Sequence, residues 1–128
     1  MRVFRTKSFQ RFQRKEGISN WSLCEAIDRA KRGLIDADLG QGLIKQRVAR
    51  PGEGRSGGYR TIVAYRDGER AVFLFGFAKS AQANLSKADE SDLKAVGAML
   101  LALDANEIDT MIAGRGLTEV PCNEEDQV

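Results

Sequence analysis

The chain has 128 residues, 42% of them hydrophobic and 30% charged, which suits one compact domain and leaves no room for a second full-sized one. Histidine is absent and cysteine occurs only as Cys24 and Cys122, which excludes imidazole bases, Ser/His and Cys/His nucleophile pairs, and the usual zinc and Cys-x-x-Cys sites. The net charge of +2 conceals a segregation: residues 1–79 hold 17 Lys and Arg against 8 Asp and Glu, while residues 80–128 hold 3 against 10, so the first part favours a polyanionic partner.

Arg2 to Arg5 reads as a short first strand. The basic start is followed by Gln, Arg and Lys instead of an apolar signal-peptide core, and no apolar run approaches the roughly 18–20 residues of a membrane span. A cytoplasmic protein without membrane contact is expected. Phe9 and Phe12, at i and i+3, predict a basic helix ending near Gly17. Ser19 or Asn20 then caps a second helix, with Leu23, Ile27, Ala30 and Leu34 at helical spacing and Gly33 closing it. Cys24 is expected in the core, and Cys122 in a polar tail.

From Leu43 the apolar period becomes two. Leu43 to Ala49, Tyr59 to Arg66 and Ala71 to Phe77 read as an antiparallel meander, the last two joined by the hairpin signal Asp67-Gly68. The run Ala71 to Phe77 is apolar on both faces and should be a central strand covered on at least one side. Leu93, Val96, Leu100 and Leu103 mark a third helix, begun by the capping pattern Ser86-x-x-Asp89. Asp104-x-x-Glu107 starts a short helix ending at Gly114, and Leu117 to Val120 suits an edge strand. The expected class is α+β: two N-terminal helices packed on an antiparallel meander, followed by C-terminal helices. Residues 1–104 form its main body, and residues 105–128 an extension of the same domain with an acidic end.

On the strand from Leu43, Lys45 and Arg47 share a face at period two, and the segment Arg50 to Gly58 adds Arg50 and Arg55 on a glycine-rich loop. Neighbouring exposed cations repel one another unless an anion fills the space between them, which motivates a phosphate site; a positively charged edge strand that resists aggregation is the plainer alternative. Gly52-x-Gly54-x-x-Gly57 formally matches the dinucleotide fingerprint, but a strand follows where a helix is required. Lys79 leaves the end of the central strand and could reach the same pocket, or simply be solvated. Tyr59 could stack on a base or pack against the helices.

Three stretches taken together, Gly42 to Arg50, Gly54 to Tyr65 with its Gly-Gly-Tyr-Arg, and Phe75-Gly-Phe-Ala-Lys79, resemble the RelE/ParE superfamily of bacterial toxins, most closely its HigB-like branch, over residues 1–104. The resemblance implies a RelE-like fold and an mRNA interferase that cuts messenger RNA, at the ribosome in RelE-like members, and is silenced by an antitoxin. It carries catalytic roles onto Lys45, Arg47 and Arg60 and aligns Lys79 with the lysine preceding another catalytic arginine, whose own place Ser80 holds. Ser86 holds the place of the catalytic tyrosine. RNA contacts fall to Arg50, Arg55 and Tyr59. The chemistry suits a chain without histidine, because RNA supplies its own nucleophile in the 2′-hydroxyl and cleavage needs proton transfer and a stabilised phosphorane. Lysine takes a proton only as the neutral amine, which like charge nearby favours; Lys45, beside Arg47 and Arg60, is the candidate base, with Arg47 and Arg60 as phosphate clamps and Lys79 as a stabiliser or leaving-group acid. A ParE-like gyrase inhibitor and a non-catalytic RNA-binding module are the other readings.

Overall fold

A computed structural model describes residues 1–50, 54–80 and 84–122, with residues 54–57 described by backbone only. The elements run β1 (Arg2–Thr6), α1 (Lys7–Glu16), α2 (Asn20–Lys31), β2 (Ala37–Gly40), β3 (Leu43–Arg50), β4 (Gly54–Arg66), β5 (Arg70–Ala78), α3 (Lys87–Ala102), α4 (Ala105–Ala113) and β6 (Leu117–Val120). Local chemistry sets the helix ends. Thr6, Ser19 and Ser86 each accept a backbone N–H of the first turn, Asp104 and Glu107 form a reciprocal capping box, and Gly17 ends α1 in the left-handed conformation.

The six strands form one sheet in the order β2-β3-β4-β5-β1-β6. The meander β3-β4-β5 is antiparallel as expected, but the sheet is mixed, because β1 pairs with β5 in parallel and β6 then pairs antiparallel with β1. Val3 and Phe4 are both buried, so β1 needs cover on both faces, and the slot beside β5 supplies it. The helices accordingly lie on both sides of the sheet. Val3, Tyr59, Val63 and Phe73 pack with α1 and α2, while Phe4, Ile62, Val72 and Leu74 pack with α3 and α4. The central place expected for β5 holds, since β4 and β1 flank it and both cores bury its side chains.

Several expectations are corrected. β2 is an additional strand: Ala37-Asp-Leu-Gly40 alternates, but over only four residues with two apolar positions, too short a pattern to mark a strand by itself. β4 begins at Gly54, so much of the glycine-rich segment is strand; residues 51–53, like the acidic end from Asn123, lie outside the described residues. On α3, Gly97 and Leu101 face the sheet with Leu100, whereas Val96 stays exposed: a Cβ at Gly97 would stand 3.2 Å from that of Ala64, so the helix approaches the sheet through its glycine. Cys24 and Cys122 are joined in a disulfide, with Cα atoms 5.3 Å apart and a sequence separation of 98. β6 brings the chain end back beside α2, a closure no local pattern reveals.

Gly58 is fixed by close approach. A Cβ there would strike the carbonyl of Val48 and stand 2.9 Å from the amide nitrogen of Arg50, where the register of β3 on β4 shifts. Both obstacles are backbone and cannot rotate away. Gly58→Ala is therefore expected to cost about 1–3 kcal/mol, measured as a lower urea midpoint with an unchanged m-value.

Candidate active site

Residues directly opposite one another in an antiparallel pair point to the same side. The register Leu43↔Ala64, Lys45↔Ile62, Arg47↔Arg60 therefore places Lys45, Arg47 and Arg60 on the α3 side of the sheet, and Ile62↔Phe75 and Arg60↔Phe77 continue this row onto β5. Lys79 follows Phe75 and Phe77 at period two and extends the ladder, its amide donating to the Gly58 carbonyl at 3.3 Å. α3 covers the end of this face carrying Leu43 and Ala64, and the cations occupy the other end.

Lys45 is half-buried and donates to Oδ1 of Asn84, 3.0 Å away, in the segment leading to α3. Arg60 is also half-buried, and its Nη1 is a fully enclosed nitrogen with no hydrogen-bond partner among the described residues. Leaving such a donor unmet costs on the order of 1–3 kcal/mol or more, which an anion placed beside it would recover. Arg47 is exposed and held from its backbone. Its N–H donates to Asp36 Oδ2 at 2.7 Å, and its carbonyl accepts from Arg29 Nη2.

Arg29, 4% exposed, ties this support together: it donates to Glu25 at 2.9 Å and to Asp36 at 3.4 Å as well as to the Arg47 carbonyl. The Asp36 carboxylate also lies 4.0 Å from Nε of the exposed Arg47 guanidinium. On the opposite face of β3 the buried Gln46 side chain donates to the Ala26 and Leu34 carbonyls and accepts from the Asp36 amide, while Thr61 donates to the Gln46 carbonyl. Polar groups on both sides of β3 thus fix the strand that presents Lys45 and Arg47.

The structure does not bring every sequence-selected residue together. Tyr59 is 1% exposed, meets the edge of Phe12 and donates its hydroxyl to the Glu16 carbonyl at 3.3 Å, so of the two roles open to it the structure shows packing against the helices; a buried ring cannot stack on a base. Arg50, which alternates with Val48 on the opposite face from Lys45 and Arg47, lies with its guanidinium 5.8 Å from the Tyr59 ring centre, on the α1 and α2 side. The side chain of Arg55 lies outside the described residues. Ser86 serves as the N-cap of α3. Asn84, Asp36 and Arg29 carry no local signal that would have selected them: one is a polar residue before a helix and the other two are ordinary charged residues of a helix and a bend. No group of three or more His, Cys, Asp or Glu able to hold a metal ion occurs among the described residues.

The fold is thus a six-stranded sheet with helices on both faces that carries a row of cations at one end of the meander. The family described as the RelE toxin of the RelE/RelB toxin-antitoxin system matches residues 1–120, and the chain belongs to that family. The match runs through α3, α4 and β6, so the elements after residue 104 belong to the family pattern. No curated protein matches the chain.

Removing the Arg29 guanidinium would leave Asp36 and Glu25 without their shared partner and the Arg47 carbonyl without its donor. Because both carboxylates are partly solvated, Arg29→Ala is expected to lower stability by about 2–4 kcal/mol in chemical denaturation.

Proposed function

We propose that this RelE-family toxin is an mRNA interferase, an endoribonuclease acting in the cytoplasm on messenger RNA at the ribosome and silenced by a cognate antitoxin. The observation that carries this reading is the enclosed, unsatisfied Arg60 Nη1 beside Arg47 and Lys45 on one face of the sheet. A phosphodiester offers what these groups lack: two non-bridging oxygens sharing a negative charge for the arginines, and a neighbouring 2′-hydroxyl for the lysine.

Lys45 Nζ, as the neutral amine, takes the 2′-hydroxyl proton while O2′ forms its bond to phosphorus. Arg47 and Arg60 stabilise the charge that grows on the non-bridging oxygens, and Lys79 gives a proton to O5′ as the P–O5′ bond breaks. The products are a 2′,3′-cyclic phosphate and a 5′-hydroxyl, with neither water nor metal consumed. Asn84 accepts one Nζ hydrogen and so restricts rotation of the amine, turning its remaining positions toward the substrate. With Ser80 and Ser86 in the places of an arginine and a tyrosine, charge stabilisation rests on Arg47, Arg60 and Lys79.

Translation of a defined message with and without ribosomes, followed by mapping of cut ends, tests the reading. Cleaved product bearing a cyclic phosphate is expected. Lys45→Ala and Arg60→Ala should each lower cleavage by about 100- to 1000-fold with thermal midpoints little changed. Wild-type rates in both variants would remove the assignment; inhibition of gyrase without any RNA product would establish the ParE-like activity in its place.

A further inference from the structure

The first fifteen residues contain Arg2, Arg5, Lys7, Arg11, Arg14 and Lys15 and no acid. Arg2 is paired with Glu119 at 2.9 Å, but Lys7, Arg11, Arg14 and Lys15 are exposed along α1 and none makes an ion pair among the described residues. Beside them Arg5 lines a cleft with Gln10, Gln13, Arg14 and Asn20. Its guanidinium donates to Thr118 Oγ1 at 2.8 Å, Gln13 Oε1 at 2.9 Å and Asn20 Oδ1 at 2.7 Å, all neutral acceptors. No carboxylate lines the cleft. Burial, and then the nearby Arg14 charge, hold Arg5 below the usual arginine range, so the site favours an added anion.

Val3 and Arg5 alternate with Phe4 along β1. Arg5 therefore lies on the α1 and α2 side of the sheet, opposite Lys45, Arg47 and Arg60. This second basic surface cannot be an outlying part of the candidate active site. We propose that α1 and the Arg5 cleft form a second RNA-binding surface that holds phosphates of the backbone on the far side of the sheet from the cleavage site.

The composition of the surface selects RNA over an acidic protein. Phe9 is buried and Phe12 packs against Tyr59, so the outer face of α1 has no apolar anchor of the kind a protein interface buries at its centre, and such centres are depleted in lysine. Nucleic-acid interfaces are polar and strongly cationic. Lys7 and Arg11 stand one helical turn apart, about 6 Å along the axis, with Arg14 and Lys15 on the next turn, so the cations form a stripe suited to a linear chain of phosphates. Cations on both faces of one small domain match an RNA that surrounds it, and in that respect the inference rests on the reading of RNA as substrate.

The test uses single-stranded 2′-O-methyl RNA, which lacks the nucleophile and so reports binding alone. The full chain and the triple variant Arg11→Gln, Arg14→Gln, Lys15→Gln are titrated with it over a range of salt. These side chains are solvent-facing, and a thermal melt checks that the variant is folded. The slope of log K against log salt should fall by about 2 for three lost phosphate contacts on a single strand, with affinity at low salt down by roughly tenfold or more. A wild-type slope and affinity in the variant overturn the proposal. If the slope falls while Lys45→Ala still cleaves as wild type, the α1 surface stands and the active-site assignment alone is lost.

Discussion

Arg47 and Arg60 face each other directly across β3 and β4, and most of what is distinctive in this molecule exists to hold them there. Like charges opposed across strands are unfavourable by tenths of a kcal/mol to about 1 kcal/mol, so the register needs support from elsewhere. That support comes from below and beside the strands. Val48 and Tyr59 pair one step further along and bury their side chains against α1 and α2, Gly58 lets the backbones close, and Asp36 with Arg29 grips the β3 backbone at Arg47. The repulsion is tolerated because the opposite side of the same strands is bound by apolar packing and buried hydrogen bonds.

The sheet accordingly has two chemistries on one pair of strands. Successive residues alternate, so Gln46 and Val48 build the interior while Lys45 and Arg47 remain available to a ligand. A residue cannot serve both sides, as Tyr59 makes plain. Its neighbour Arg60 belongs to the cationic row, and therefore Tyr59 must point into the helices. Arg50, two residues beyond Val48, falls by ordinary alternation on the Tyr59 side, and the row ends at Arg47 because the next residue on its face is Ala49.

Much of this was legible from local chemistry. The capping residues Ser19, Ser86 and Asp104, the turn at Asp67-Gly68, and the three runs of the meander are short-range signals, and each appears where the sequence places it. The hairpin differs only in detail: Arg66 pairs with Arg70, giving a three-residue loop with Gly68 in the left-handed conformation. What escaped was non-local. Nothing in Arg2 to Thr6 says that it lies parallel to β5, and nothing in Leu117 to Val120 says that it completes the sheet beside β1. Within the site, period two along one strand was enough to group Lys45 with Arg47, but the partners that hold them, Asn84 and Asp36, come from segments whose place is decided by tertiary packing.

The bond between Cys24 and Cys122 encloses β2 through β6 and every residue of the cationic row within one covalent ring. Its two anchor points are also brought together without it, since α2 rests on the sheet and β6 is laced to β1, with Arg2 and Glu119 forming a two-pronged pair across that seam. A ring of this size acts mainly by limiting how far the unfolded chain can spread, an effect of about 3–5 kcal/mol in the chain-entropy picture. In a reducing compartment the two sulfurs would remain neighbours as thiols in the folded protein while the unfolded chain regained its full freedom. The same native architecture would thus have two different safety margins, set by its surroundings and not by any change in its working surface.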